Sequence, residues 1–188
     1  MNQQYVKHDS ITAKILTILY PDKQMTLEQI CDSVQTNKAS VKRTIMFMIK
    51  PNLGYLKRSV RKENCNSSYS LTRHGRWFAM CTRLNVSFLS LCMLSDIYVF
   101  QKTINESETY GPYPVVRIRD LIEYSTKKQK TCSVRCLQIK LQQLIKQNIV
   151  KRLRKNIVCI HSNFFNYLKK NYDHDLTLLQ RWFYSTIG

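Results

Sequence analysis

Residues 37–60 read NKASVKRTIMFMIKPNLGYLKRSV, and residues 69–76 read YSLTRHGR. Val41, Ile45, Met48 and Ile49 recur at helical spacing, so a helix is expected over about Lys38 to Lys50, ended by Pro51-Asn52-Leu53-Gly54. Tyr55 to Val60 then alternates in polarity as a strand does. The polar run Arg61 to Ser68 reads as a hairpin tip, and Tyr69 to Thr72 as the return strand. A helix over His74 to Leu84 follows, apolar at Trp77, Phe78, Met80, Cys81 and Leu84. Upstream, Ile11, Ile15, Leu16, Ile18 and Leu19 form a helical stripe stopped by Pro21-Asp22. Thr26 caps a short helix, Leu27 to Val34, and Gln35-Thr36-Asn37 is a short polar turn.

This order of helix, helix, short turn, helix and basic hairpin resembles the winged helix-turn-helix family of DNA-binding proteins. The likeness covers about residues 10–83. It rests on Ser40-Val41 early in the third helix, Gly54 to Arg58 opening the wing, and Tyr69, Leu71, Thr72 and Gly75 closing it. The resemblance implies that the third helix enters the major groove of duplex DNA and that the wing touches the backbone.

The second half repeats the order. Val86 to Ile104 reads as a long apolar helix, residues 105–114 as a linker and Val115 to Tyr124 as a short helix. Ser125 to Thr131 is a basic turn. Cys132 to Asn148 is a helix with Val134, Leu137, Leu141, Leu144 and Ile145 inward. Two short strands, Ile149 to Arg154 and Ile157 to Ile160, flank Lys155-Asn156. Phe164 to Lys170 and a last helix within 175–186 complete the chain. MIKPNLGYLKR and LIKQNIVKRL occupy equivalent places, pairing Met48 with Leu144 and Asn52 with Asn148, about 96 residues apart. The expected fold is mostly α with small β-hairpin wings: two tandem winged helix-turn-helix domains, 1–84 and 85–188.

Charge points to an acidic partner. Lys plus Arg is 30 against 12 Asp plus Glu, a formal charge of +18. Between Asp32 and Asp96 the only acid is Glu63, and between Glu123 and Asp173 there is none; these two blocks hold 23 of the 30 cations. Sign-pure blocks read as two binding faces, since a surface built for solubility alone mixes its signs. Nucleic acid is the first candidate on charge and an anionic membrane surface the second; the winged-helix resemblance implies that the partner is double-stranded DNA.

In the first copy the outward side of the third helix holds Lys38, Ser40, Lys42, Arg43 and Thr44, and the wing adds Lys57, Arg58, Arg61 and Lys62. In the second copy the outward side holds Ser133, Arg135, Gln138, Lys140, Gln142 and Gln143. Its turn adds Lys127, Lys128 and Lys130, and its wing Lys151, Arg152, Arg154 and Lys155. Arg and Lys reach guanine O6 and N7, and Gln pairs bidentately with adenine. Wing cations suit phosphates, which position without specifying.

Other classes are disfavoured. No Ser/His/Asp set, HExxH motif or Gly-rich phosphate loop is present, so no catalytic residue and no cofactor is expected. Cys132, Cys136, Cys159 and His161 offer four zinc-ligand types but lack the tight knuckles of structural zinc sites, so no metal is expected. The polar start MNQQYVKHDS is unlike a secretory signal, and the apolar run Val86 to Phe100 is too short to span a bilayer. An intracellular, reduced protein without a membrane is expected. Leu176, Leu179, Trp182 and Phe183 make a terminal apolar stripe that packs either on the second domain or on another copy of the chain. The competing functions are a protein-interaction subunit of a larger complex and an RNA binder. The latter would display exposed aromatics for base stacking.

Overall fold

The computed structural model describes residues 10–60, 67–103, 109–110, 113–128 and 133–185. The chain divides into two compact units, Met1–Phe88 and Leu89–Gly188. Each has the winged helix-turn-helix architecture, mostly helical with one small three-stranded antiparallel sheet.

The first unit runs α1 (Ile11–Leu19), β1 (Met25–Thr26), α2 (Leu27–Val34), α3 (Lys38–Ile49), β2 (Leu56–Val60), β3 (Ser67–Leu71) and α4 (Arg73–Leu84). Every helix start carries its own chemical signal. Ser10 accepts from the Ala13 N–H, and Asn37 accepts from Ser40 N at 2.8 Å. Thr26 and Gln29 form a reciprocal capping box at the head of α2. Gln35 ends α2 in the left-handed region, φ 53°, and returns its N–H to Cys31 O. Gln35, Thr36 and Asn37 carry the chain from α2 into α3. Ile15, Leu16 and Leu19 of α1 and Val41, Ile45 and Met48 of α3 are all buried, in agreement with the helical spacing of the sequence.

β1 is two residues long and lies below the length at which alternation is readable. It closes the sheet in the order β1-β3-β2, with Met25 opposite Tyr69 and Leu56 opposite Leu71. The root of the wing is held by Thr72. Its N–H donates to Tyr55 O at 3.0 Å, its hydroxyl to Gly54 O, and its Oγ1 caps Gly75 N.

The second unit contains α5 (Phe88–Thr103), β4 (Thr109–Tyr110), β5 (Tyr113–Pro114), β6 (Val116–Arg117), α6 (Ile118–Lys128), α7 (Val134–Lys146), β7 (Val150–Arg154), β8 (Ile157–Ile160) and α8 (Ser162–Ser185). Its sheet order, β6-β8-β7, repeats that of the first. Ser133 caps α7 as Asn37 caps α3. The Ile149 N–H reaches Leu144 O as the Tyr55 N–H reaches Met48 O. The copies therefore keep one register along the third helix and lose two residues in the turn after it. The left-handed residue before the strand is Gly54 (φ 56°) in one copy and Asn148 (φ 56°) in the other, so Asn148 corresponds to Gly54 and not to Asn52.

Several expected elements need correction. The short helix expected from Val115 begins only at Ile118, because Val116-Arg117 pairs with β8 as the strand β6. The stretch expected as a linker, 105–114, contains the paired strands β4 and β5. The turn expected from Ser125 is helical through Lys128, so Lys127 and Lys128 belong to α6. The two terminal helices, Phe164 to Lys170 and 175–186, are one helix, α8. Leu168, Tyr172, Leu176 and Leu179 are buried at helical spacing straight through the polar run Asn171 to Asp175. That run reads as a break in sequence because acids ordinarily stand in solvent. In the fold Asp173 accepts from Tyr98 Oη and Lys102 Nζ of α5, both at 2.7 Å. Lys102 and Tyr98 hold the Asp173 carboxyl below the usual carboxylate range. α5 itself is buried on all sides from Ser90 to Tyr98. Its polar side chains are satisfied inside the unit: Ser125 Oγ donates to Asp96 Oδ2 at 2.9 Å, and Gln101 Oε1 accepts from Ile160 N at 2.7 Å.

Candidate nucleic-acid interface

α3 separates cleanly into two sides. Val41, Ile45 and Met48 point into the core, and Lys42, Arg43 and Lys50 are exposed. Among the described residues Lys42 and Arg43 form no ion pair or hydrogen bond, so their donors stand free for a ligand. Two other expected contacts, Lys38 and Thr44, are already engaged. Lys38 Nζ lies 2.9 Å from Glu28 Oε1 of α2, both side chains being mostly in solvent. The hydrogen bond holds the Glu28 carboxyl below its ordinary range and raises the Lys38 ammonium above its own. The α3 face is thus not free of acids, because α2 brings one to its first turn across ten residues of sequence. Thr44 Oγ1 donates to Ser40 O at 2.9 Å, and both residues are half-buried.

α7 shows the same division. Leu137, Leu141 and Leu144 are buried; Arg135, Gln138, Gln142 and Gln143 are exposed. Ser133 Oγ accepts from Cys136 N at 3.2 Å, so this hydroxyl acts as a helix cap. Val134, expected inward, is 45% exposed. Lys140 is half-buried and donates to Gln143 Oε1 at 3.2 Å. On α6, Lys127 pairs with Glu123 at 2.9 Å, which raises the ammonium above its ordinary value.

The wings add cations beside each helix. Lys57 and Arg58 on β2 are exposed, and Arg58 Nε donates to Ser67 Oγ at 2.7 Å. On β7 the register shifts between Arg152 and Arg154. Lys151, Arg152 and Arg154 are all exposed, as is Lys155 at the turn. Arg61, Lys62 and Lys130 lie outside the described residues, as does the side chain of Lys128. In the terminal stripe, Leu176 and Leu179 are buried in the second unit. The side chains of Trp182 and Phe183 are outside the described residues.

Sequence reading missed four exposed apolar side chains on the two outward faces: Met46 (55%) and Phe47 (44%) on α3, Val134 and Ile139 (50%) on α7. The signal was available. Met46 and Phe47 follow Lys42 and Arg43 by four residues, and so share their face. Lys50 Nζ sits 5.9 Å from the Phe47 ring centre, within cation–π range.

Neither a protein-family model nor a curated protein matches this chain. Among the described residues no group of three or more His, Cys, Asp or Glu converges as a metal site, and no single helix is long and apolar enough to cross a membrane.

Proposed function

We propose that this chain is a double-stranded DNA-binding protein that reads a specific site, acting in transcriptional regulation or in the initiation of replication or partition. One observation carries the reading. In both units the third helix of the fold buries its inner side and leaves polar or cationic side chains exposed, Lys42 and Arg43 on α3 and Arg135, Gln138 and Gln142 on α7, with exposed cations on the adjoining strand. A helix-turn-helix presents that helix to the major groove, and the flanking cations neutralise phosphates.

The test is the salt dependence of binding to duplex DNA. If each unit neutralises three to five phosphates, log affinity falls against log salt with a slope of about −5 to −9. A slope near zero, or no duplex binding at 100 mM salt, removes the proposal.

Met46 and Phe47 favour a second reading, a protein-interaction subunit, because exposed apolar side chains on a helix face are the usual anchors of a protein partner. In that case Met46→Ser and Phe47→Ser abolish partner capture and leave any duplex affinity unchanged.

A further inference from the structure

Asn37 and Ser133 cap equivalent helix ends, and Met48 and Leu144 receive equivalent strand N–H bonds. This register sets Lys42 against Gln138, Arg43 against Ile139 and Met46 against Gln142. The cationic pair at the centre of α3 is replaced on α7 by an amide and a branched apolar side chain, and the next turn by another amide. Gln138, Ile139 and Gln142 share one helix face, all exposed, with Ile139 half in solvent.

We infer that α7 reads A·T base pairs, with Gln138 and Gln142 on adenine edges and Ile139 packed on a thymine methyl group. The inference rests on the DNA-binding reading above and goes on to name the bases. Phosphate binding does not explain this face, because its centre carries no charge. A protein surface is disfavoured by its surroundings. Arg135 lies one turn before Ile139, Lys146 stands at the far end of the helix, and Lys151, Arg152 and Lys155 are exposed on and after β7, the strand that packs on α7. An uncharged centre inside a cationic frame complements base edges bordered by phosphates. Gln presents the donor–acceptor pair that adenine N7 and N6 require, and thymine is the only base that offers a methyl group in the major groove.

The experiment uses the full chain. Selection from a random duplex pool should return a half-site containing A·T pairs that is lost with Gln138→Ala. Deoxyuridine in place of thymidine in that half-site removes the 5-methyl group and nothing else. Wild-type affinity should fall about fourfold, the ~0.8 kcal/mol of one buried methyl group converted at 1.4 kcal/mol per factor of ten. Ile139→Ala should bind both duplexes equally, while Arg43→Ala keeps the fourfold discrimination. Ile139 is exposed, so the variant retains the fold, which far-UV circular dichroism checks. Equal binding of both duplexes by the wild type, or an Ile139→Ala variant that still discriminates, overturns the inference and leaves DNA binding intact. Absence of any duplex binding overturns the proposed function itself.

Discussion

Gly75 occupies the first turn of α4, where helix propensity alone favours alanine by about 1 kcal/mol. The packing argues the other way. A Cβ on Gly75 would stand 2.0 Å from the Tyr55 carbonyl oxygen and 2.9 Å from its carbon. Side-chain carbons essentially never approach below 3.0 Å, so the Tyr55 backbone must retreat by about 1 Å. It is poorly placed to do so. Tyr55 is 4% exposed, its N–H donates to Met48 O at 2.9 Å, and its carbonyl accepts from Thr72 N at 3.0 Å. Overpacking of this kind costs about 2–3 kcal/mol, and weakening the bonds at each end of Tyr55 adds about 1 kcal/mol each. After the propensity gain the net loss for Gly75→Ala is about 3–4 kcal/mol. A domain of this size holds only about 4–13 kcal/mol in total. The midpoint of thermal unfolding should drop by about 12–32 °C. Fluorescence of the buried Trp77 reports on the first unit once Trp182, the other tryptophan, is replaced by Phe. An unchanged or raised midpoint would mean that the wing root is not wedged against α4 and would refute the reasoning.

Base readers and phosphate binders should separate by mutation: Arg43→Ala should weaken the preferred site by about 1–3 kcal/mol and relax its sequence preference, whereas Lys57→Ala should weaken all sequences alike in a competition assay. The two units should also differ in acid. His74 keeps part of its ring in solvent, but packing against Tyr55, Phe78 and Phe88 disfavours the imidazolium and lowers its pKa below 6.5. A depressed histidine contributes stability above its unfolded pKa, so the first unit should begin to weaken as pH falls through about 6.5, and His74→Gln should flatten that slope. Asp173 is a carboxylate with a lowered pKa, so its contribution to the second unit is present above about 3.8 and lost as pH falls below that value. Asp173→Asn should remove this later acid response, seen in unfolding followed by circular dichroism.

The fold was legible wherever periodicity and capping agreed. Val41, Ile45 and Met48 announce α3, and Thr26 announces α2, because a buried stripe and a cap are local properties of the sequence. The strands β1, β4, β5 and β6 were not legible, since two residues are too few to show alternation. The continuity of α8 was hidden because Asp173 and Asp175 read as loop formers until α5 supplies partners for Asp173. The site was legible as a set of cations but not as a geometry. No sequence pattern says that Glu28 meets Lys38, that the Thr44 hydroxyl turns back to the backbone, or that Ser133 caps rather than contacts. Gly75 belongs to the resemblance from the start, and its physical reason, the approach of the Tyr55 carbonyl, exists only in the folded wing.

Both α3 and α7 are proposed to contact duplex DNA. Footprinting of the intact chain tests this directly, beside two charge-altered forms of the same chain, Lys42→Glu with Arg43→Glu and Arg135→Glu with Gln138→Glu. All four side chains are exposed, so both forms keep the fold. The wild type should protect two unlike half-sites, and each altered form should lose its own half-site while retaining weaker protection of the other. A footprint unchanged by either alteration, or two half-sites lost together on altering one helix while the other alteration has no effect, would contradict the proposal.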